Sequence, residues 1–169
     1  MKIPLTVGKL FPRDERTRPL VLVIIKPHKY PSIRMLVNAL IDTGSSISTV
    51  ASRDILKTRI PYTALPPAVP QVSRIGGFVL PVFELGGTNL IFRDEAGERV
   101  STEISKMKVL GVPPRREEVE HIPTIIGTDF LEDNGFTLVF NPSRKEAWLE
   151  KEGGFLNSGQ DRKRLVGYT

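Results

Sequence analysis

The residues with the clearest chemical potential form a short polar turn, Asp42-Thr43-Gly44, which is followed by Ser45 and Ser46. Gly44 allows the backbone to reverse or to approach another group closely, and the neighbouring hydroxyls can donate hydrogen bonds across the turn. A carboxylate held by such donors on a rigid support can act as a general acid or base. The same composition is common in turns that only reverse the chain, so this tripeptide alone leaves both interpretations open.

The segments on either side of the turn predict strands that would hold it in place. Residues 33–41 before the turn and 47–51 after it are rich in apolar and β-branched side chains. Elsewhere 14 glycines and 14 prolines separate short apolar runs, and no segment shows helical periodicity over three turns. We therefore predict a mostly β domain, with further strands at 3–10, 20–25, 78–85, 88–92, 99–110, 136–140 and 146–150.

A few segments depart from the strand pattern. Ser52 is placed to cap a short helix at 53–57, and a second short helix is predicted at 128–133, ended by Asn134-Gly135. Prolines between residues 60 and 70 favour an irregular connection. Further local predictions are a turn at Gly86-Gly87, a surface loop at 112–120, and a hairpin tip at Ile75-Gly76-Gly77-Phe78, where adjacent glycines are flanked by apolar residues.

Composition excludes several kinds of site. The 169 residues contain no cysteine, so disulfides, thiolate metal sites and a cysteine nucleophile are excluded. His28 and His121 are the only histidines, which leaves few candidates for a histidine-rich metal site or a serine–histidine triad. We expect no metal and no cofactor. The net charge is +5, but the basic residues are interleaved with acidic ones and aromatic residues are sparse. Nucleic-acid binding is therefore disfavoured.

The length is typical of one domain with a hydrophobic core. We expect a single domain at 1–152 and a basic, loosely ordered tail at 153–169, which contains Arg162, Lys163 and Arg164. No stretch approaches the roughly 20 apolar residues of a membrane span, and Met1 to Leu10 lack the apolar core of a signal peptide. These features predict a soluble cytoplasmic protein that binds no membrane.

Three separated motifs, in this order, resemble those of the retropepsins, the retroviral-type aspartic proteases, and especially their cellular, Ddi1-like relatives. Gly76 and Gly127 follow Asp42 by 34 (76 − 42) and 85 (127 − 42) positions. The likeness covers roughly residues 20–150. Many viral members have an arginine after the third motif's glycine, where this chain has Thr128-Asp129. The motifs are Leu40-Ile41-Asp42-Thr43-Gly44-Ser45-Ser46, Ile75-Gly76-Gly77-Phe78 and Ile125-Ile126-Gly127-Thr128-Asp129-Phe130-Leu131.

The resemblance implies an all-β fold: a closed six-stranded lobe of the acid-protease type with one or two short helices, one lobe per chain. Asp42 would be the catalytic aspartate, Thr43 would brace the turn of a partner copy, and Gly44 would offer its N–H to the carboxylate. Ser45 would donate to the outer oxygen of Asp42. The hairpin tip Ile75-Gly76-Gly77-Phe78 would be a flap that contacts substrate. For Thr43 and for the tip, an ordinary turn role is the alternative.

Residues of the third motif have supporting roles in this interpretation. Ile126 and Gly127 would pack behind the catalytic turn. Asp129 is expected to cap the second helix rather than to serve as the second catalytic carboxylate. Trp148 is expected in the core or in a dimer interface.

Peptide hydrolysis by aspartates needs two carboxylates that share one proton, whereas this chain has one Asp-Thr-Gly. The second carboxylate would therefore come from another copy, which implies a homodimer with its active site at the interface. The predicted function is an aspartic endopeptidase that cleaves extended peptides at acidic to mildly acidic pH. The alternative is a catalytically silent dimeric β-domain that binds peptides or mediates assembly.

Overall fold

Strands account for most of the secondary structure. The computed structural model of the chain describes residues 1–75, 78–112 and 121–151, and only the backbone of 70–75 and 78. The helices are α1 (Ser52–Ile55) and α2 (Thr128–Asn134), and a 3-10 turn spans Tyr62–Ala64. The strands are β1 (Lys2–Pro4), β2 (Thr6–Gly8), β3 (Arg18–Pro27), β4 (Met35–Ile41), β5 (Thr49–Val50), β6 (Pro67–Ile75), β7 (Phe78–Arg93), β8 (Arg99–Leu110), β9 (Ile125–Ile126), β10 (Thr137–Asn141) and β11 (Glu146–Glu150).

Six strands pair in a closed ring. Strand β3 is antiparallel to both β4 and β7, and β7 is antiparallel to β8. The short strands β9 and β5 complete the ring, because β9 is parallel to β4, β5 is antiparallel to β9, and β5 is parallel to β8. The predicted all-β fold with a closed six-stranded lobe and one or two short helices is confirmed for the described residues.

The remaining strands extend this ring or form a second sheet. Strand β2 pairs with β3, and β6 pairs with β7 as the edge of the eight-stranded sheet. The predicted closing hairpin is present as β10 and β11, and β1 pairs with β11 to make a three-stranded sheet. Trp148 on β11 is partly buried, and the Lys2 ammonium lies 5.0 Å from the centre of its ring.

The core fills the inside of the ring. Along β3 the side chains of Val21, Val23 and Ile25 are buried, while Leu22 between them is exposed, as the period of a strand requires. Helix α2 covers one side of this core with Phe130, whose ring contacts Phe92 on β7 and Phe136 after the helix. No helix among the described residues is long and apolar enough to cross a membrane.

Several predicted boundaries are wrong for tertiary reasons. The predicted strand 3–10 is divided at Leu5, whose N–H donates to the Ala147 carbonyl, so β1 joins one sheet and β2 the other. Gly86-Gly87 does not separate two strands. Gly86 has φ +84° and marks a register shift in the β7–β8 pairing, so β7 bends there and continues.

Two further predictions near the prolines and α1 need correction. Strand β6 already begins at Pro67, inside the segment predicted to be irregular. Ser52 is not a helix cap: α1 begins at Ser52 itself, and the buried hydroxyl donates to the Leu110 carbonyl at 3.0 Å. The prediction that Gly135 ends α2 is confirmed, because Gly135 has a left-handed φ of +66°. Residues 113–120 of the predicted surface loop, and the tail at 153–169, lie outside the described residues.

Candidate active site

The Asp42 turn is fixed to the ring by main-chain hydrogen bonds. The Asp42 N–H donates to the Ile126 carbonyl at 3.0 Å, which continues the β4–β9 pairing past the end of β4. The Ser45 N–H donates back to the Asp42 carbonyl at 3.1 Å and closes the turn. Asp42 therefore extends from the end of a buried strand into a turn whose backbone is held on both sides.

The Asp42 carboxylate is held at one oxygen and open at the other. The Gly44 N–H donates to Oδ1 at 2.9 Å, as the resemblance implied, and the side chain is partly exposed. A Cβ at Gly44 would lie 3.1 Å from Oδ1, so the glycine permits this approach. No described residue donates a hydrogen bond to Oδ2. The arrangement orients a carboxylate while leaving one oxygen available to a water, a proton or a second carboxyl group.

The Ser45 hydroxyl does not bond to Asp42, contrary to the sequence-based expectation. It donates to the Ile47 carbonyl at 2.8 Å, and a hydroxyl has one proton to donate. The Ser45 carbonyl accepts the Thr128 N–H at 2.8 Å. Ser45 therefore shapes the turn and joins it to the start of α2, and the Gly44 N–H is the donor at the carboxylate.

Gly127 packs against the back of the turn. A Cβ at this position would lie 2.6 Å from the Ser45 carbonyl oxygen and 3.0 Å from the Ile47 nitrogen, and both of those atoms are main chain. Only glycine fits such an approach without a backbone shift. These contacts confirm that Gly127 packs behind the turn, and the Ile126 carbonyl, which accepts the Asp42 N–H, supports the turn from the same side.

A hydrogen-bond network that the sequence did not indicate lies behind the turn. Asp129 Oδ2 accepts the Ser48 N–H at 2.9 Å, and Oδ1 accepts the Ser48 hydroxyl at 2.6 Å and the Phe130 N–H at 2.8 Å. The Ser48 hydroxyl in turn accepts the Gly127 N–H at 2.9 Å. The N-cap residue of α2 is Gly127. Asp129 lies inside the first turn, so it is not the cap residue, although its carboxylate accepts the Phe130 N–H of that turn. Its carboxylate joins α2 to the segment that leaves the Asp42 turn.

Thr124 forms a second brace that the sequence did not indicate. Its carbonyl accepts the Leu40 N–H at 2.8 Å, two residues before Asp42. Its buried hydroxyl donates to Asp54 Oδ2 at 2.7 Å and accepts the Ala51 N–H at 3.0 Å. One residue thus holds β4 before the turn through its main chain and the segment after β5 through its side chain. A threonine three residues before Gly127 is the only local signal for this role.

The other predicted site residues are less completely described. The Thr43 side chain is exposed, and its hydroxyl has no hydrogen-bond partner among the described residues, so the local-turn role finds no support. Ile75 and Phe78 are backbone partners in the last pair of the β6–β7 hairpin. Gly76 and Gly77 lie outside the described residues. No three or more histidine, cysteine or acidic side chains in the described ranges are grouped to hold a metal ion.

Comparisons with known proteins give matches among solved structures. One is titled EIAV protease complexed with the inhibitor HBY-793. It is 21% identical, and the match covers 77% of this chain and 98% of that chain, with a TM-score of 0.42. Another is a retropepsin-like aspartic protease from Rickettsia conorii. It is 14% identical, and the match covers 88% of this chain and 89% of that chain, with a TM-score of 0.49. No protein-family model and no curated protein matches the chain.

Proposed function

We propose that this protein is an aspartic endopeptidase whose active site contains Asp42 from each of two copies. The observation that carries the proposal is the state of the Asp42 carboxylate: Oδ1 is fixed by the Gly44 N–H at 2.9 Å, Oδ2 is open, and the turn is tied to β9 behind it. An acid–base group must be oriented by its own scaffold and remain accessible to substrate. The hydrogen bond from Gly44 is also found in turns that only reverse the chain, and Asp94 accepts the Ala96 N–H in the same way. Asp42 differs in its main-chain bond to Ile126, which fixes the turn to the ring.

The chemistry follows from two such carboxylates facing each other. Like charges at contact distance cannot both ionise, so the pair keeps one proton. The ionised carboxylate takes a proton from a water molecule, and the oxygen of that water attacks the peptide carbonyl. The other carboxyl group donates its proton to the leaving nitrogen as the C–N bond breaks. Since one proton must remain on the pair, activity is expected at acidic to mildly acidic pH.

Two observations support a second copy as the source of the second carboxylate. Asp129, the other acid of the three motifs, accepts hydrogen bonds from Ser48 and Phe130 and serves as a brace. The Thr43 hydroxyl, next to Asp42, is exposed and has no partner among the described residues. In a two-fold dimer the same turn from each copy would meet its equivalent, and Thr43 would donate across the axis.

The proposed substrate is an extended peptide segment. Strand β6 is the edge of the eight-stranded sheet and pairs with β7 in a hairpin. An extended peptide gains main-chain hydrogen bonds from strands of this kind and specificity from pockets for alternate side chains. We propose that the hairpin, with its Ile75-Gly76-Gly77-Phe78 tip, is a flap over the peptide, and that Ser45 lies near the bound chain. We also propose that the chain resembles especially the cellular, Ddi1-like members of the retropepsins.

Cleavage and mass measured together test the proposal. Wild type, Asp42→Asn and Asp42→Ala are compared on casein between about pH 4 and 7, with the mass in solution determined for each. Asp133→Asn is the matched control, because Asp133 is an exposed acid on α2. We expect a dimer in all four proteins and cleavage only by wild type and the control. Full cleavage by either Asp42 variant contradicts the proposal, and a wild-type dimer that binds peptides without cleaving them favours the silent β-domain.

A further inference from the structure

The β6–β7 hairpin has an irregular root. Between the pairs Pro67–Phe83 and Val72–Pro81, β6 advances five residues (72 − 67) while β7 advances two (83 − 81). Main-chain groups in the extra length of β6 have no regular ladder partner and need another. The Val69 carbonyl lies in this stretch, so its partner helps to determine how the hairpin leaves the ring.

That partner is a buried lysine on β8. The Lys108 ammonium donates to the Val69 carbonyl at 3.1 Å and lies 3.9 Å from Glu84 Oε1. Lys108 is 8% exposed, and Glu84 is directly opposite it in the β7–β8 pairing. A buried ammonium that lost these partners would be strongly unfavourable. The lysine side chain therefore joins β6, β7 and β8 at the hairpin root.

The backbone of the same residue contacts the segment that leaves the Asp42 turn. The Lys108 N–H donates to the Ser48 carbonyl at 3.2 Å, beside the β5–β8 pair of Thr49 and Lys108. Ser48 is the residue that Asp129 holds and that itself holds the Gly127 N–H. Lys108 thus contacts the segment behind the candidate catalytic turn through its main chain and the root of the hairpin through its side chain.

We infer that Lys108 is a positioning residue, which sets the β6–β7 hairpin relative to the Asp42 turn through its ammonium contact with the Val69 carbonyl. The inference that this placement serves substrate binding rests on the proposed function; the structural part does not. Without the ammonium, the root of the hairpin loses a charge-assisted hydrogen bond and samples more positions. The hydrogen bonds within the Asp42 turn involve none of these side chains and stay in place.

Lys108→Met tests this, because methionine keeps most of the side-chain length and removes the charge. Lys106→Met is the matched control, since Lys106 is an exposed lysine two residues earlier on β8. Amide hydrogen exchange is measured on the free protein. We expect exchange in residues 67–75 to become about tenfold faster in Lys108→Met, the equivalent of one lost charge-assisted hydrogen bond. Exchange in β3 and β4 is expected to match wild type and Lys106→Met.

Steady-state kinetics separate positioning from a loss of folded protein. For Lys108→Met we expect KM to rise about tenfold with kcat within about twofold, and Lys108→Arg to restore KM because a guanidinium can donate to the same carbonyl. A fall in kcat at unchanged KM is the pattern of fewer folded molecules and overturns the inference. If Lys108→Met does not fold, Lys108→Gln replaces it, because it also removes the ammonium, with faster exchange expected in the same segment.

The two proposals fail in different ways. If wild type does not cleave peptides, the proposed function fails, while hydrogen exchange still tests whether Lys108 positions the hairpin. If wild type cleaves peptides but exchange in 67–75 is the same in Lys108→Met, Lys106→Met and wild type, the positioning role of Lys108 is wrong and the proposed function stands.

Discussion

Replacing Asp129 with alanine should destabilise the fold through a residue that takes no part in the chemistry. The substitution removes the acceptor for the Ser48 N–H and hydroxyl and for the Phe130 N–H. Ser48 is 0% exposed, so its two donors would be left without partners in the interior. Each unsatisfied buried donor costs about 1–3 kcal/mol. Because the donors are neighbours, their costs overlap, and we expect a loss of about 3–4 kcal/mol.

Asparagine at position 129 should have an intermediate effect. It keeps the shape of the side chain and one acceptor oxygen, but its amide group presents a donor where the second carboxylate oxygen accepted a hydrogen bond. We expect a loss of about 1–2 kcal/mol. The order of stability is then wild type, Asp129→Asn and Asp129→Ala.

Urea unfolding at one fixed protein concentration measures these differences, with the single tryptophan, Trp148, as the fluorescent probe. The concentration is held constant because the stability of the proposed dimer would depend on it. Asp133→Ala is the control, since Asp133 is exposed on the same helix and should change the free energy of unfolding by less than about 0.5 kcal/mol. The reasoning is refuted if Asp129→Ala is within about 0.5 kcal/mol of wild type, or if the control loses as much stability as Asp129→Ala.

Two further substitutions test local features of the fold. Gly127→Ala places a Cβ 2.6 Å from the Ser45 carbonyl oxygen and should lower the free energy of unfolding by about 2–3 kcal/mol; an unchanged urea midpoint would show that the backbone yields easily. The Arg16 N–H lowers the pKa of Asp14 from 3.8, with help from Arg18 and against the opposing effect of burial. The stabilisation by ionised Asp14 is therefore present above about pH 3.8 and is lost as the pH falls through the lower folded-state pKa. Asp14→Asn should be less stable than wild type at pH 7 and equally stable at the acid end of a series of urea unfolding curves. A stability difference that does not change with pH contradicts this.

Local patterns were sufficient for the framework of the site. The apolar run before Asp42 and the glycine after it have direct structural meaning, because strand period and turn chemistry act over a few residues. The Asn134-Gly135 signal ended α2 for the same reason. The ring itself followed from the resemblance of three motifs, since no short-range pattern specifies that β9 pairs with β4.

Contacts between distant segments explain what the sequence did not reveal. Ser48 and Asp129 are 81 positions apart, and nothing in either neighbourhood indicates that they meet. The Ser45 hydroxyl had two acceptors within reach in principle, and only the folded turn shows that it donates to Ile47. Gly86 is typical of a turn, yet pairing with β8 on both sides of it keeps it within a bent strand, with a register shift on each side. In each case tertiary packing overrides the local preference.

Titration with a statine-type transition-state analogue is the most direct test of the central claim, that Asp42 forms half of an active site completed by a second copy. Calorimetry at mildly acidic pH gives the number of sites per chain. A two-fold site predicts about one analogue bound per two chains and no binding to Asp42→Ala, with Asp133→Asn matching wild type. One analogue per chain, or unchanged binding to Asp42→Ala, would contradict an active site shared between two copies.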